Sequence, residues 1–92
     1  RAAIVLTLGS AGAYYADPEQ TIYQEAIPAT AVDTTGAGDV FTGYLLAALS
    51  TGVLPSEAMY TASLAAALSI TRPGASASIP SMDEVIEFAQ SL

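Results

Sequence analysis

Apolar and polar positions divide this chain into a strand-like first third and a helical remainder. Ala3–Leu8 is a short apolar, β-branched run closed by Gly9-Ser10-Ala11-Gly12, the pattern of a buried strand that ends in a turn. Ala13–Ala16 and Thr21–Ile27 flank Asp17-Pro18-Glu19-Gln20, which predicts a hairpin with a Pro-led turn. Val32 suits one more short extended segment. The period then changes. Val40, Phe41, Tyr44, Leu45, Ala48 and Leu49 fall on one face of a helix, and Gly52 stops it. A second helix is predicted from Pro55, acceptable in a first turn, with Glu57 at the positive end of the dipole, through to about Ile70. Its alanines let it lie close against a neighbour. Arg72-Pro73-Gly74 ends it and begins a loop to Pro80. Ser81 and Glu84 form a capping box for a last helix carrying Val85, Ile86, Phe88 and Ala89. Strands followed by three helices predict the closing part of an α/β layer fold.

Length and composition narrow this. At 92 residues the chain holds one domain at most and buries only a little over ~60% of its unfolded surface. With 52% apolar and 12% charged residues, disorder is excluded as the expectation. Apolar runs such as Tyr44–Leu49 are far short of the ~20 residues that span a membrane. The chain opens on Arg1 with no signal-peptide pattern, so it reads as a piece of a larger cytoplasmic α/β protein whose remainder covers apolar surface. A net charge of −7 argues against nucleic acid and against anionic lipid as partners. Without Cys or His, thiolate nucleophiles, disulfides, Ser-His triads and the usual zinc sites are absent. Without Lys there is no Walker-type phosphate loop and no Schiff base. Any phosphate must be handled by backbone N–H groups, a bound cation or Arg72.

One segment fits that demand. Val32-Asp33-Thr34-Thr35-Gly36-Ala37-Gly38-Asp39 runs directly into the first predicted helix. Its glycines permit unusual backbone conformations and leave the first-turn N–H groups facing open space, a ready anion site at the positive end of a helix. An acid at Asp39 would repel a bound phosphate, but it makes sense as acceptor of the proton from a hydroxyl that attacks the phosphoryl group. Taken singly, Asp39 reads as a helix cap and Asp33 as an Asx-turn residue. The spacing Gly36, Gly38, Gly43 is not the dinucleotide fingerprint, which needs Gly where Phe41 stands.

Taken together, Asp33-Thr34-Thr35-Gly36-Ala37-Gly38-Asp39-Val40-Phe41-Thr42-Gly43 resembles, without a gap, the second signature of the ribokinase-like (PfkB) carbohydrate kinases. Thr7-Leu8-Gly9-Ser10-Ala11-Gly12 resembles the family's strand-turn segment beside the nucleotide. Thr71-Arg72-Pro73-Gly74-Ala75-Ser76-Ala77-Ser78-Ile79-Pro80 is similar to the loop of its ribose-phosphorylating members. The resemblance covers nearly the whole chain. It implies that residues 1–92 are the C-terminal part, roughly the last third, of a three-layer α/β/α kinase domain, with the sugar-binding part and lid supplied by residues outside it.

The resemblance also implies roles. Asp39 would be the catalytic base and touch the sugar. Gly36, Ala37 and Gly38 would form the anion hole. Thr7, Leu8, Gly9, Ser10, Ala11 and Gly12, with Gly38 and Asp39, would line the ATP site, and Ser63 falls where the family places Asn or His beside the adenine. An activating monovalent cation, normally potassium, would be held by Asp33 and by the carbonyls of Thr35, Ser69, Arg72 and Gly74, with the Ser78 hydroxyl. Magnesium would arrive with ATP. The implied reaction is phosphorylation of a sugar hydroxyl, D-ribose to D-ribose 5-phosphate first, in a parent for which a homodimer is an admissible assembly. The alternatives are a family member acting on fructose, a nucleoside or a phosphosugar, or a truncated, non-catalytic piece serving as a binding module.

Overall fold

The computed structural model of the chain describes residues 3–72 and 79–92. Three strands, β1 (Ile4–Thr7), β2 (Ala13–Asp17) and β3 (Gln20–Gln24), form an antiparallel meander in the order β1-β2-β3. Ile4 pairs with Ala16 and Thr7 with Ala13, while Ala13 pairs with Gln24 and Asp17 with Gln20. The β2–β3 hairpin owes its register to Asp17, whose Oδ1 accepts the Glu19 and Gln20 N–H groups at 2.8 and 3.0 Å around Pro18.

Three helices follow, α1 (Ala37–Ser50), α2 (Pro55–Ile70) and α3 (Met82–Gln90). Their ends follow from local chemistry. α1 closes in a Schellman motif, with Gly52 left-handed (φ 87°), its N–H on the Leu49 carbonyl and the Val53 N–H on that of Ala48. α2 carries Pro55 in its first turn, where the missing N–H costs nothing. At the start of α3 the Ser81 hydroxyl accepts the Glu84 N–H at 3.2 Å and Glu84 accepts the Ser81 N–H at 2.9 Å, the reciprocal capping box. None of the helices in the described residues is long and apolar enough to cross a membrane.

The period-two alternation of β2 sets the layers. Ala13 and Tyr15 point to the helices and join Phe41 and Leu45 of α1 and Ala58, Met59 and Ala62 of α2 in one core cluster. A second cluster unites Val40, Leu64, Ala65 and Val85 and draws α3 onto α1 and α2. Burying a side chain such as Leu45 or Met59 stabilises the fold by about 1.5–3 kcal/mol relative to exposure. On the opposite face Tyr14 and Tyr23 stack across the strands with ring centroids 5.0 Å apart, and both stay exposed.

Three expectations need correction. The Ala3–Leu8 run is a strand but not a buried one, because the helices cover β2 and β3 and leave both faces of β1 open: Ile4 is 71% and Leu6 55% exposed. Thr21–Ile27 pairs only as far as Gln24. Val32 joins no strand; its N–H goes instead to the carbonyl of Ile70 at the end of α2.

Candidate functional site

The Asp33–Asp39 segment builds the site from its backbone outward. Asp33 Oδ1 accepts the Thr35 N–H at 2.9 Å, an Asx turn. The Val32 and Asp33 N–H groups both donate to the Ile70 carbonyl, at 2.6 and 3.0 Å, which fastens this turn to the last turn of α2. Gly36 then takes a left-handed conformation (φ 79°) as the N-cap of α1, a position that strains any residue with a Cβ. No side chain caps the helix. The N–H groups of Gly38 and Asp39 therefore have no hydrogen-bond partner among the described residues. A Cβ on Gly38 would meet nothing within 4 Å among the described residues. Two amides at the positive end of a helix, without a partner among the described residues, can receive an anionic oxygen.

Asp39 stands in the third helical position rather than at the cap, and its carboxylate is exposed. It sits with Gly36 on the lip of a cavity of about 740 Å³ that also borders Gly43, Thr61, Ile79 and Met82. A carboxylate placed beside open amides offers a proton acceptor next to an anion site.

The other expected residues are spread more widely. Thr7 ends β1, and residues 9–11 form a short 3₁₀ turn closed by the Leu8 N–H on the Gly12 carbonyl at 2.8 Å. Gly12 (φ 102°) is pressed so closely on β3 that a Cβ would lie 2.4 Å from the Gln24 carbonyl oxygen. Thr7 through Gly12 do not line the cavity at Asp39, and neither does Ser63, which is buried on α2. Ala37 donates to the Thr34 carbonyl at 3.2 Å, so its amide is already engaged. Of the expected cation ligands, Asp33 is brought by its N–H to the Ile70 carbonyl, next in sequence to Ser69 and two residues before Arg72, and Thr35 is joined to it through the Asp33 carboxylate. The Ser69 carbonyl there accepts the Arg72 N–H at 3.2 Å. Gly74 and Ser78 lie outside the described residues. Among the described residues no three His, Cys, Asp or Glu side chains gather as a metal cluster.

One participant escaped the sequence reading. Tyr44, counted only as part of an apolar face, donates its hydroxyl to the Pro80 carbonyl and borders the same cavity. The phenol's need for a partner when half-buried was the available signal. The guanidinium of Arg72, one of the groups considered for phosphate, pairs with Glu84 at 2.9 and 3.5 Å.

These contacts perturb two titrations. The Ser81 backbone N–H, and then Arg72, hold the Glu84 carboxyl below its usual range. Burial, and then the nearby Glu84 charge, push the Tyr44 phenol up. A lowered carboxylate contributes stability that is complete above its unfolded value and lost as pH falls through its folded one; a raised phenol contributes until pH climbs past its ordinary value. Thermal unfolding of the protein across pH is thus expected to give a plateau that falls off on the acid side below the ordinary carboxylate range and on the alkaline side beyond the ordinary phenol range. Glu84→Gln should make the acid limb shallower, and an acid limb of unchanged slope in that variant would refute the assignment.

The sequence pattern of the pfkB family carbohydrate kinases matches residues 1–82. The chain is 38% identical over 86 residues to the ribokinase of Schizosaccharomyces pombe, covering 92% of this chain and 27% of that protein. The structure of Arabidopsis thaliana ribokinase complexed with ribose and ATP superposes with a TM-score of 0.89 at 35% identity, over 94% of this chain and 28% of that one. Ribokinase from Cryptococcus neoformans var. grubii in complex with ADP gives 0.87 at 34% identity, over 92% and 28%. The chain thus spans somewhat more than a quarter of the length of the relatives it matches.

Proposed function

The chain belongs to the pfkB family of carbohydrate kinases, and on that premise we propose that the protein carrying it transfers the γ-phosphoryl group of ATP to a sugar hydroxyl, D-ribose giving D-ribose 5-phosphate. The observation that carries this reading is the exposed Asp39 carboxylate on the lip of a cavity beside the open N–H groups of Gly38 and Asp39. The similarity to a relative seen with both ribose and ATP supports ribose as the acceptor.

Phosphoryl transfer asks a protein for position and charge stabilisation more than for covalent help. Asp39 takes the proton of the acceptor hydroxyl as its oxygen bonds to the γ-phosphorus. The bond from that phosphorus to the β–γ bridging oxygen breaks, and ADP leaves with the electron pair. Charge that grows on the transferred oxygens meets the amides at the mouth of α1, which Gly36 has already aimed, so they need no rearrangement at the moment of reaction. The segment Thr7–Gly12 and the region of Ser63 serve the nucleotide in this reading.

A monovalent cation fits the described donors chemically. The backbone N–H of Asp33 is tied to the Ile70 carbonyl at the negative end of α2. The Asp33 carboxylate and the Thr35, Ser69 and Arg72 carbonyls are hard oxygens. With the Gly74 carbonyl and Ser78 hydroxyl they would hold potassium, which would supply positive charge that braces the Asp33–Gly38 turn. Magnesium brought by ATP would neutralise phosphate charge.

The test is product analysis on the full-length protein offered D-ribose, fructose, a nucleoside and a phosphosugar with ATP. Phosphorus NMR should identify ribose 5-phosphate as the favoured product. Preferential phosphorylation of another acceptor would replace ribose, and no acceptor-dependent ADP release would remove the kinase reading. The 92 residues alone cover 27% of the fission-yeast relative. A coupled ADP-release assay on this chain by itself is therefore expected to stay at background with ribose. Ribose-dependent turnover by it would contradict that expectation.

A further inference from the structure

Away from the reacting groups, Glu84, Arg72, Ser81, Tyr44 and Pro80 converge at one corner, where α1 and α3 meet the segment that follows α2. Glu84, in the first turn of α3, uses both carboxylate oxygens: Oε2 lies 2.9 Å from Arg72 Nη2, and Oε1 accepts the Ser81 N–H at 2.9 Å. Tyr44 of α1 donates to the carbonyl of Pro80, the residue just before Ser81. Arg72 stands two residues beyond Ile70, whose carbonyl holds the Val32 and Asp33 N–H groups.

An exposed ion pair on its own contributes little, about 0–1 kcal/mol at most sites, so charge alone does not explain the arrangement. Its geometry does more. One side chain fixes the spacing between residue 72 and residues 81–84, and Tyr44 fixes residue 80 to α1. The end of α2, the start of α3 and the body of α1 are thereby joined at a point close in sequence to the carbonyl that anchors the Asp33 turn. We infer that Glu84 is a positioning residue for phosphoryl transfer: by gripping Arg72 and Ser81 at once it ties the end of α2 to the start of α3 and, through the Ile70 carbonyl, keeps the Asp33–Gly36 turn aligned with the first turn of α1. This rests on the kinase reading above and adds to it a residue that touches neither substrate nor nucleotide.

Two variants of the full-length protein separate positioning from simple stabilisation. Glu84→Ala removes both the pair and the cap. Glu84→Gln keeps a capping side chain and removes the charge that faces Arg72. Glu84→Ala should lower kcat about tenfold with the KM for ATP within about twofold, short of the ~100-fold that an ångström of misplacement can cost. Glu84→Gln should fall between it and the wild type. Amide hydrogen exchange at Val32 and Asp33 should quicken in both, because those are the N–H groups the Ile70 carbonyl protects. Faster exchange with an unchanged kcat would reduce Glu84 to a structural role and overturn the inference, as would unchanged exchange. If the alanine variant does not fold, the glutamine variant decides by the same two readouts. A wild-type protein without sugar-dependent ADP release would sink the kinase reading instead, and exchange at Val32 and Asp33 would still report whether Glu84 holds the turn.

Discussion

Asp39→Ala in the full-length protein is expected to abolish readily measured sugar phosphorylation, lowering kcat by roughly 10²–10⁴-fold, the range a positioned general base contributes. ATP binding, followed by calorimetry, should persist. The expectation follows from what Asp39 does not do. It does not cap α1, since Gly36 holds that position, and its carboxylate is exposed rather than packed. Removing it therefore leaves no cavity and breaks no cap, so a loss of turnover cannot be charged to unfolding. Asp39→Asn, equal in shape but unable to accept the proton, should be similarly inactive. A kcat near that of the wild type in either variant would take the base role away from Asp39, whereas loss of ATP binding together with activity would mean that the carboxylate orders the nucleotide region.

The second large effect is on folding. Gly12→Ala is expected to destabilise the protein by about 2–6 kcal/mol, the sum of roughly 1–3 for a side chain at positive φ and roughly 1–3 for overpacking. The geometry warrants the upper half. Gly12 has φ 102°, and its added Cβ would lie 2.4 Å from the Gln24 carbonyl oxygen and 3.0 Å from Tyr23 Oη. The first of these is backbone in a paired strand and cannot swing aside. Gly9 provides the control, since its φ is 58° with nothing within 4 Å of the added atom, so Gly9→Ala should cost only about 1–2 kcal/mol. Urea midpoints measure both. Equal shifts would show that close approach to β3 plays no part. Against a total stability of about 5–15 kcal/mol for a typical domain, the Gly12 variant is expected to stand near the edge of folding.

Much of this architecture was legible before any coordinates, and the reasons are local. Pro55 marked the first turn of α2, Gly52 the end of α1, and Ser81 with Glu84 the start of α3, because capping and left-handed turns are decided by a few neighbouring residues. The Asp17-Pro18 turn was legible for the same reason. What was not legible depends on contacts far along the chain. The apolar run of β1 resembles a buried strand, yet burial is decided by where the helices settle, and they settle on β2 and β3. Val32 has a strand-like side chain, but its N–H is taken by Ile70, 38 positions away. At the site, the glycines and Asp39 stood out because residues 33–43 resemble the family's second signature as an unbroken string. The Tyr44–Pro80 and Arg72–Glu84 contacts did not, because they link residues 36 and 12 positions apart that no short pattern joins.

The fully buried alanines of α2 have one more consequence. Ala58 and Ala62 share one core cluster with Phe41 and Leu45, and Ala65 shares the other with Val40, so beside Met59 and Leu64 the packed face of α2 also sets single methyl groups among larger side chains of α1. At those methyl groups a neighbouring helix has no room to approach further and can only be pushed away. Growth of any one of these three residues would thus shift α1 outward, and with it the amides at its mouth, by a distance set by the added carbons. A row of the plainest side chains, remote from the reaction, acts as the gauge block against which the reactive end of that helix is set.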